Sequence, residues 1–328
     1  MKTKKARKSI LSAAVAAVMV LSLTACGEGT PSSTPADESS VSGTQSSVES
    51  STASAESTDA GTSENADSQS ADSDSAQEGT SQSGGFGGVE NAEDYKYRIS
   101  RDDGTYAVIT AYIGSDENIT VPSTLEGNPV KKIGEKAFEN CQFVSVTLPD
   151  SIEVIERSAF FQCTNLKEIY LPDSIKSIGA WAFSTCSSLT EITIPDGITA
   201  IPERAFNLCE NLTSITIPNS VTRIGDNTFN GCSKLTSVSL PAGVNYIGAG
   251  AFTQCTGLSD INIPDGVKEI SLSTFVGCKA LTELTIPDSV TEIGSYAFTD
   301  CVNLKATYKG KTYSYDEIKE LEKAVSGD

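Results

Sequence analysis

Residues 189–211 read LTEITIPDGITAIPERAFNLCEN, and residues 212–234 read LTSITIPNSVTRIGDNTFNGCSK. Laid over each other, the two stretches place leucine, isoleucine, proline, phenylalanine and cysteine in the same phase, 23 residues apart. Working outward in both directions, the cysteines are Cys141, Cys163, Cys186, Cys209, Cys232, Cys255, Cys278 and Cys301. The phenylalanines are Phe138, Phe160, Phe183, Phe206, Phe229, Phe252, Phe275 and Phe298, and prolines run in phase from Pro149 to Pro287. A unit of this length buries its apolar face only by stacking on its neighbours, which is the logic of a solenoid.

Within the unit, Ile192 and Ile194 alternate with Glu191, Thr193 and Pro195, the spacing of a short strand with one buried face. Proline carries no amide hydrogen, so the inter-coil ladder ends there. Pro-Asp-Gly and Pro-Asp-Ser then turn the chain, Ile198 and Ile201 point back inward, and the spacing of A-F-x-x-C predicts a short helical or 3₁₀ turn. The glycine after the second inward isoleucine is replaced by Glu156, Pro202 and Ser271 in three coils. Because proline cannot take a positive φ, this place has an ordinary negative φ and glycine stands there for room.

These residues resemble the BspA-like leucine-rich repeats of bacterial surface proteins, over about Val121 to Leu304. The resemblance implies a leucine-rich-repeat solenoid with short parallel strands and about eight coils. Its flanking pieces are an entry hairpin within residues 95–120, turning at Asp103-Gly104, and a C-terminal cap over residues 307–328, with the repeats at 121–306. In the cap, Ser314 lies three residues before Glu317, a capping box, and Ile318, Leu321 and Val325 share one face of a short amphipathic helix that covers the open end. The family is linked to adhesion and host-protein binding.

The first 25 residues carry five basic residues and then an uncharged run from Ile10 to Ala25, the pattern of a signal peptide, too short to span a bilayer. Leu23-Thr24-Ala25-Cys26-Gly27 looks like a lipobox, which makes Cys26 the lipidation site; an ordinary signal cut with an incidental thiol is the alternative. Residues 26–94 then form an acidic Ser/Thr-rich stalk, with 14 acidic residues and no basic one between Gly27 and Asp94, expected to be disordered. The expected place is the extracellular face of the membrane of a Gram-positive-type bacterium, held by lipid alone.

Composition removes several chemistries. There is no histidine, which excludes Ser-His-Asp and Cys-His mechanisms and His-bearing zinc sites. The chain carries a net charge of −19, which repels phosphate backbones and argues against nucleic acid as a partner. Gly84-Gly85-Phe86-Gly87-Gly88 reads as a linker, so no phosphate-cradling loop and no cofactor is expected. The in-phase cysteines read as a column of free, buried thiols acting as small hydrophobes, with disulfides between neighbouring coils or metal binding as alternatives.

Glu168 with Glu191, and Asp260 with Glu283, fall next to each other on the strand face. A retaining glycosidase uses two carboxylates at such a separation, but open solvated positions favour a plain charged surface, so no catalytic residue is assigned. Binding is better sought at outward aromatics, since Trp and Tyr dominate interface hot spots. Trp181, Tyr170, Tyr246 and Tyr296 are the candidate contacts, for an extracellular protein or glycan. The sequence thus reads as a non-enzymatic surface lipoprotein that binds noncovalently, with a passive spacer or a carboxylate-based hydrolase as alternatives.

Overall fold

Residues 92–101 and 104–327 are described by the computed structural model. The expected leader, Cys26, the acidic stalk through Asn91 and Asp103 of the entry turn lie outside the described residues.

Each coil presents two short strands, and the coils stack in parallel register one period apart. One ladder runs from Asn118–Thr120 through Ser145–Thr147, Glu168–Tyr170, Glu191–Thr193, Ser214–Thr216, Ser237–Val238, Asp260–Ile261 and Glu283–Ile286 to Lys305–Tyr308. Here it is called the first ladder. The second ladder begins at Tyr106–Tyr112 and Asn128–Ile133 and continues through two-residue strands such as Ala200–Ile201 and Arg223–Ile224 to Glu292–Ile293. Pairing is one period apart, as in Ile192 with Ile215 and Ile201 with Ile224. The eight phenylalanine–cysteine corners therefore separate nine first-ladder strands among the described residues. After Glu191–Thr193 the ladder carries one further bond, from the Ile194 amide to Thr216 O at 3.0 Å, and stops at Pro195.

The core is a set of columns rather than a layer. All eight periodic phenylalanines are buried, and consecutive rings lie parallel within 1° to 16°, with centroids 4.9 to 5.8 Å apart. These separations exceed a face-to-face contact, so the rings are offset, the arrangement their quadrupoles prefer. Beside them stands the cysteine column. Every described cysteine is a free thiol. Each thiol from Cys163 to Cys301 donates to the carbonyl of the preceding coil's phenylalanine, as in Cys209 Sγ to Phe183 O at 3.2 Å. The Phe183 carbonyl also accepts the Cys186 amide at 3.2 Å, so both its lone pairs are used. Burial pushes the Cys209 thiol up to about 12, which keeps it neutral.

The A-F-x-x-C corner is not the helical or 3₁₀ turn that its spacing predicts. In the coil at Trp181, the amides of Ala182, Ser184 and Cys186 bond locally to the carbonyls of Gly179, Trp181 and Phe183, at 3.0 to 3.2 Å. The alternate amides of Trp181, Phe183 and Thr185 reach across to Glu203, Ala205 and Asn207 in the next coil, at 2.7 to 3.1 Å. A helical turn directs every amide along its own axis; here alternate peptides are rotated toward the next coil. The rotation is made by left-handed residues four apart, Trp181 at φ +63° and Thr185 at φ +62°, and it recurs in every corner, with Gly231, Gly250 and Gly277 filling some of these places. A left-handed non-glycine residue costs roughly 1–2 kcal/mol, which the inter-coil hydrogen bond offsets.

Gly179 and Gly225 have no positive φ, as Pro202 in the same place requires. Their role is close approach: a Cβ on Gly179 would lie 2.4 Å from the Arg157 amide nitrogen, and one on Gly225 2.5 Å from that of Glu203. Each coil bearing a side chain here, at Glu156, Pro202 or Ser271, is followed by a coil with glycine.

Both ends are covered. Tyr95–Ser100 pairs antiparallel with Tyr106–Tyr112, which runs parallel to Asn128–Ile133. Phe143 takes the place that leucine holds in later coils and meets Phe138 edge-on at 5.6 Å, while Tyr95 and Tyr112 close the rest of that ring. At the other end Lys311–Ser314 folds back antiparallel on Lys305–Tyr308 and closes the first ladder. Ser314 donates its amide and hydroxyl to Glu317 at 2.9 and 2.8 Å, and these bonds hold the Glu317 carboxyl below its usual range. The helix Ile318–Ser326 follows, buries Leu321 and Val325, and packs on Glu292–Ile293, closing the second ladder.

Truncation of the mid-column ring, Phe206→Ala, is expected to lower unfolding free energy by about 3–5 kcal/mol in chemical denaturation, because the neighbouring coils cannot collapse into the gap. Thr185→Gly is expected to stabilise by up to about 1 kcal/mol by relieving a β-branched left-handed residue, whereas Thr193→Gly in the extended strand destabilises; equal losses at both sites would contradict the corner geometry.

Candidate functional site: the outward face of the first ladder

Polar side chains on the solenoid fall into two groups by what they bond to. In the first group they tie one coil to the next. Ser174 Oγ donates to Ile152 O at 2.6 Å and Ser220 Oγ to Ile198 O at 2.7 Å, with Ser151 and Ser289 alike in their own coils. Glycine stands there in the other coils, at Gly197, Gly243 and Gly266, and a Cβ would lie 2.6 Å from the same carbonyl at Gly197 and 2.8 Å at Gly266, against an ordinary 3.7 Å at Gly243. Asn211 Nδ2 likewise reaches Ser187 O at 2.7 Å. Asn262 bridges Leu240 in both directions, donating to its carbonyl and accepting from its amide at 2.8 Å each.

The second group stands in the outward row of the first ladder, where Asn262 is the bonded exception between Thr147 and Thr285. Thr147, Thr193, Thr216 and Thr285 are exposed, and their hydroxyls have no hydrogen-bond partner among the described residues. Tyr170 stands in this row, in register with Thr147, and is 63% exposed.

The four outward aromatics do not converge. Trp181 is half-buried in a corner, with the Arg204 guanidinium 4.3 Å from its ring centre and Phe161 edge-on at 6.1 Å; its Nε1 is buried with no partner. Tyr246 lies on the second ladder under the Arg223 guanidinium at 3.6 Å, and its hydroxyl donates to Asp226 at 3.3 Å. Its hydroxyl pKa is raised, by burial first and the Asp226 charge second, with Arg223 opposing. Trp181 and Tyr246 are therefore already engaged within the molecule. Tyr296 shares the corner phase of Trp181 five coils away, is 66% exposed, and has no such cover. Tyr170 and Tyr296 remain as free aromatic surfaces, on different columns.

Sequence reasoning missed Arg204 and Arg223, although each lies one period of 23 from its aromatic partner. The same rule, that residues one period apart are stacked, also gives the Lys131–Glu153–Lys176 chain of ion pairs, at 2.8 and 2.6 Å, which holds the Glu153 carboxyl below its usual range.

Glu168, Glu191, Asp260 and Glu283 are all exposed on the first ladder. Strand pairing along this ladder is interrupted in three places, and two of them fall between Glu168 and Glu191 and between Asp260 and Glu283. Like charges directly opposite weaken a pair of strands. The third interruption, between Ser214 and Ser237, has no such charges, and Glu269 directly opposite Glu292 on the second ladder leaves that pairing intact, so like charge alone does not account for the gaps. The carboxylates do not line either of two surface cavities, one of 490 Å³ between Glu292 and the C-terminal helix and one of 160 Å³ beside Tyr95 and Asn118. Among the described residues no group of three or more His, Cys, Asp or Glu is placed to hold a metal ion. No helix among them is long and apolar enough to cross a membrane.

The family model for the BspA-type leucine-rich-repeat region matches residues 131–255 and 199–317, in six copies. The chain belongs to the BspA-type leucine-rich-repeat family. Among solved structures, the leucine-rich-repeat protein of T. pallidum is 31% identical over 66% of this chain and 90% of that one, with a TM-score of 0.48. A leucine-rich cell surface protein of Faecalibacterium prausnitzii A2-165 is 25% identical over 72% and 96%, with a TM-score of 0.35. A leucine-rich-repeat protein of Bacteroides capillosus is 29% identical over 40% and 94%, with a TM-score of 0.29. No curated protein matches the chain.

Trp181 is the chain's single tryptophan, so its emission reports this corner alone. In Arg204→Ala the emission should move to longer wavelength as the ring loses its guanidinium cover, with stability changed by no more than about 1 kcal/mol. An unchanged spectrum would show that the stacking does not persist in solution.

Proposed function

We propose that this BspA-type repeat protein is a non-enzymatic cell-surface protein whose solenoid binds an extracellular protein or glycan noncovalently. In this reading a lipid on Cys26 holds it to the outer face of the membrane, and the acidic stretch carries the solenoid away from the bilayer. Family membership supports the surface and adhesion parts of the reading. The observation that carries the binding part is the outward row of the first ladder. Residues such as Ser174, Asn211 and Arg204 tie coils together, while Thr147, Thr193, Thr216, Ser239, Thr285 and the Tyr170 ring are exposed and unengaged among the described residues. Asn262 alone of the row from Thr147 to Thr285 is bonded. A hydrolase built on Glu168 and Glu191 is not favoured, because both carboxyls are exposed to solvent rather than held in the unlike environments that separate acid from base.

Capture of extracellular proteins and glycans by the full chain tests this. A saturable partner is expected, lost by about tenfold in the Tyr170→Ala, Tyr296→Ala double variant and retained in Trp181→Ala. Absence of any partner across a broad panel would return the passive-spacer reading.

A further inference from the structure

The outward row of the first ladder has a composition that selects among ligand classes. From Thr147 to Thr285 the row steps by about 4.8 Å per coil, and its free members are mostly small hydroxyls, Thr147, Thr193, Thr216, Ser239 and Thr285, with Asn262 bonded to Leu240. A single aromatic, Tyr170, interrupts them, and neither an aromatic ring nor a cation covers it among the described residues. Exposed carboxylates Glu168 and Glu191 flank it two residues back along its own strand and the next.

From this arrangement we infer that the first-ladder face around Tyr170 binds an uncharged, extended polysaccharide lying along the solenoid axis. The inference rests on the binding reading above and names its ligand class. A tyrosine ring offers a flat apolar surface to the C–H face of one pyranose ring. Threonine hydroxyls on the neighbouring coils donate to and accept from the hydroxyls of the adjoining sugars. The carboxylates accept from sugar hydroxyls in charge-assisted bonds, which are stronger than neutral ones. Protein ligands fit this face poorly, because the centre of a protein interface concentrates aromatic anchors and is depleted in charge, whereas this row has one aromatic with two carboxylates beside it. A sulfated or uronic acid polymer would be repelled by Glu168 and Glu191 and by the chain's net charge of −19.

Affinity gel electrophoresis of the full chain in hydroxyethylcellulose, dextran, glycol chitin and heparin provides the test. Retardation is expected in at least one of the three neutral polymers and not in heparin. Tyr170→Ala should weaken it by about tenfold, while Tyr170→Phe, which keeps the ring, stays within about threefold and Tyr296→Ala is unchanged. Thermal melts of the variants report whether each folds, and the exposure of Tyr170 predicts that they do. Retardation by heparin alone, retardation indifferent to Tyr170→Ala, or none in any neutral polymer overturns the inference. If capture by the full chain is then abolished by protease treatment of the partner and survives periodate treatment, the ligand is a protein and the broader binding reading stands; if nothing is captured, both fall.

Discussion

Each coil depends on the next through the corner that holds the phenylalanine and the cysteine. The phenylalanine carbonyl receives the amide of its own coil's cysteine and the thiol of the following one, while the phenylalanine amide reaches forward to the next coil. One residue inserted or removed would displace the ring, the thiol and both bonds together. This is why the period holds so closely, and why cysteine rather than alanine fills the column: it is small enough for the space and carries a donor for a carbonyl that is otherwise half satisfied. The unusual left-handed residues follow from the same demand, because only an alternating corner can serve its own turn and its neighbour at once.

Stacking also decides which surface is available. A solenoid repeats its outside as faithfully as its inside, so outward side chains sit in columns and meet their counterparts one period away. Where a column pairs serine with a carbonyl or arginine with an aromatic ring, the side chains are consumed by the fold. Most of the outward first-ladder row from Thr147 to Thr285 escapes this, because short hydroxyl side chains one strand separation apart do not reach each other, with Asn262 as the exception. The face that contributes least to holding the molecule together is therefore the one free to meet something else.

That face is uneven. Stacked carboxylates coincide with two of the three gaps in its hydrogen-bonded ladder, while the second ladder, which carries the alternating Lys131, Glu153 and Lys176, is itself interrupted between Ile178 and Ala200 and between Ile247 and Glu269. Opposite charges one period apart reinforce the stack, but stacked like charges do not decide where pairing stops, since Glu269 directly opposite Glu292 remains paired.

Much of this was legible in the residues alone. The period, the buried phenylalanine and cysteine columns, the strand ending at proline, the negative φ at Pro202 and its glycine counterparts, and the closing helix with Leu321 and Val325 inward all follow from spacing and from what proline and glycine can do. Spacing could not distinguish a helical turn from the alternating corner at Trp181 and Thr185, because both place alanine, phenylalanine and cysteine inward; only the direction of each amide separates them, and that is set by the neighbouring coil. Nor could an outward phase tell a free aromatic from an engaged one. Trp181 and Tyr170 look alike as exposed ring positions, but Arg204 lies over the first and the second is bare, a difference made by what the next coil happens to place one period away.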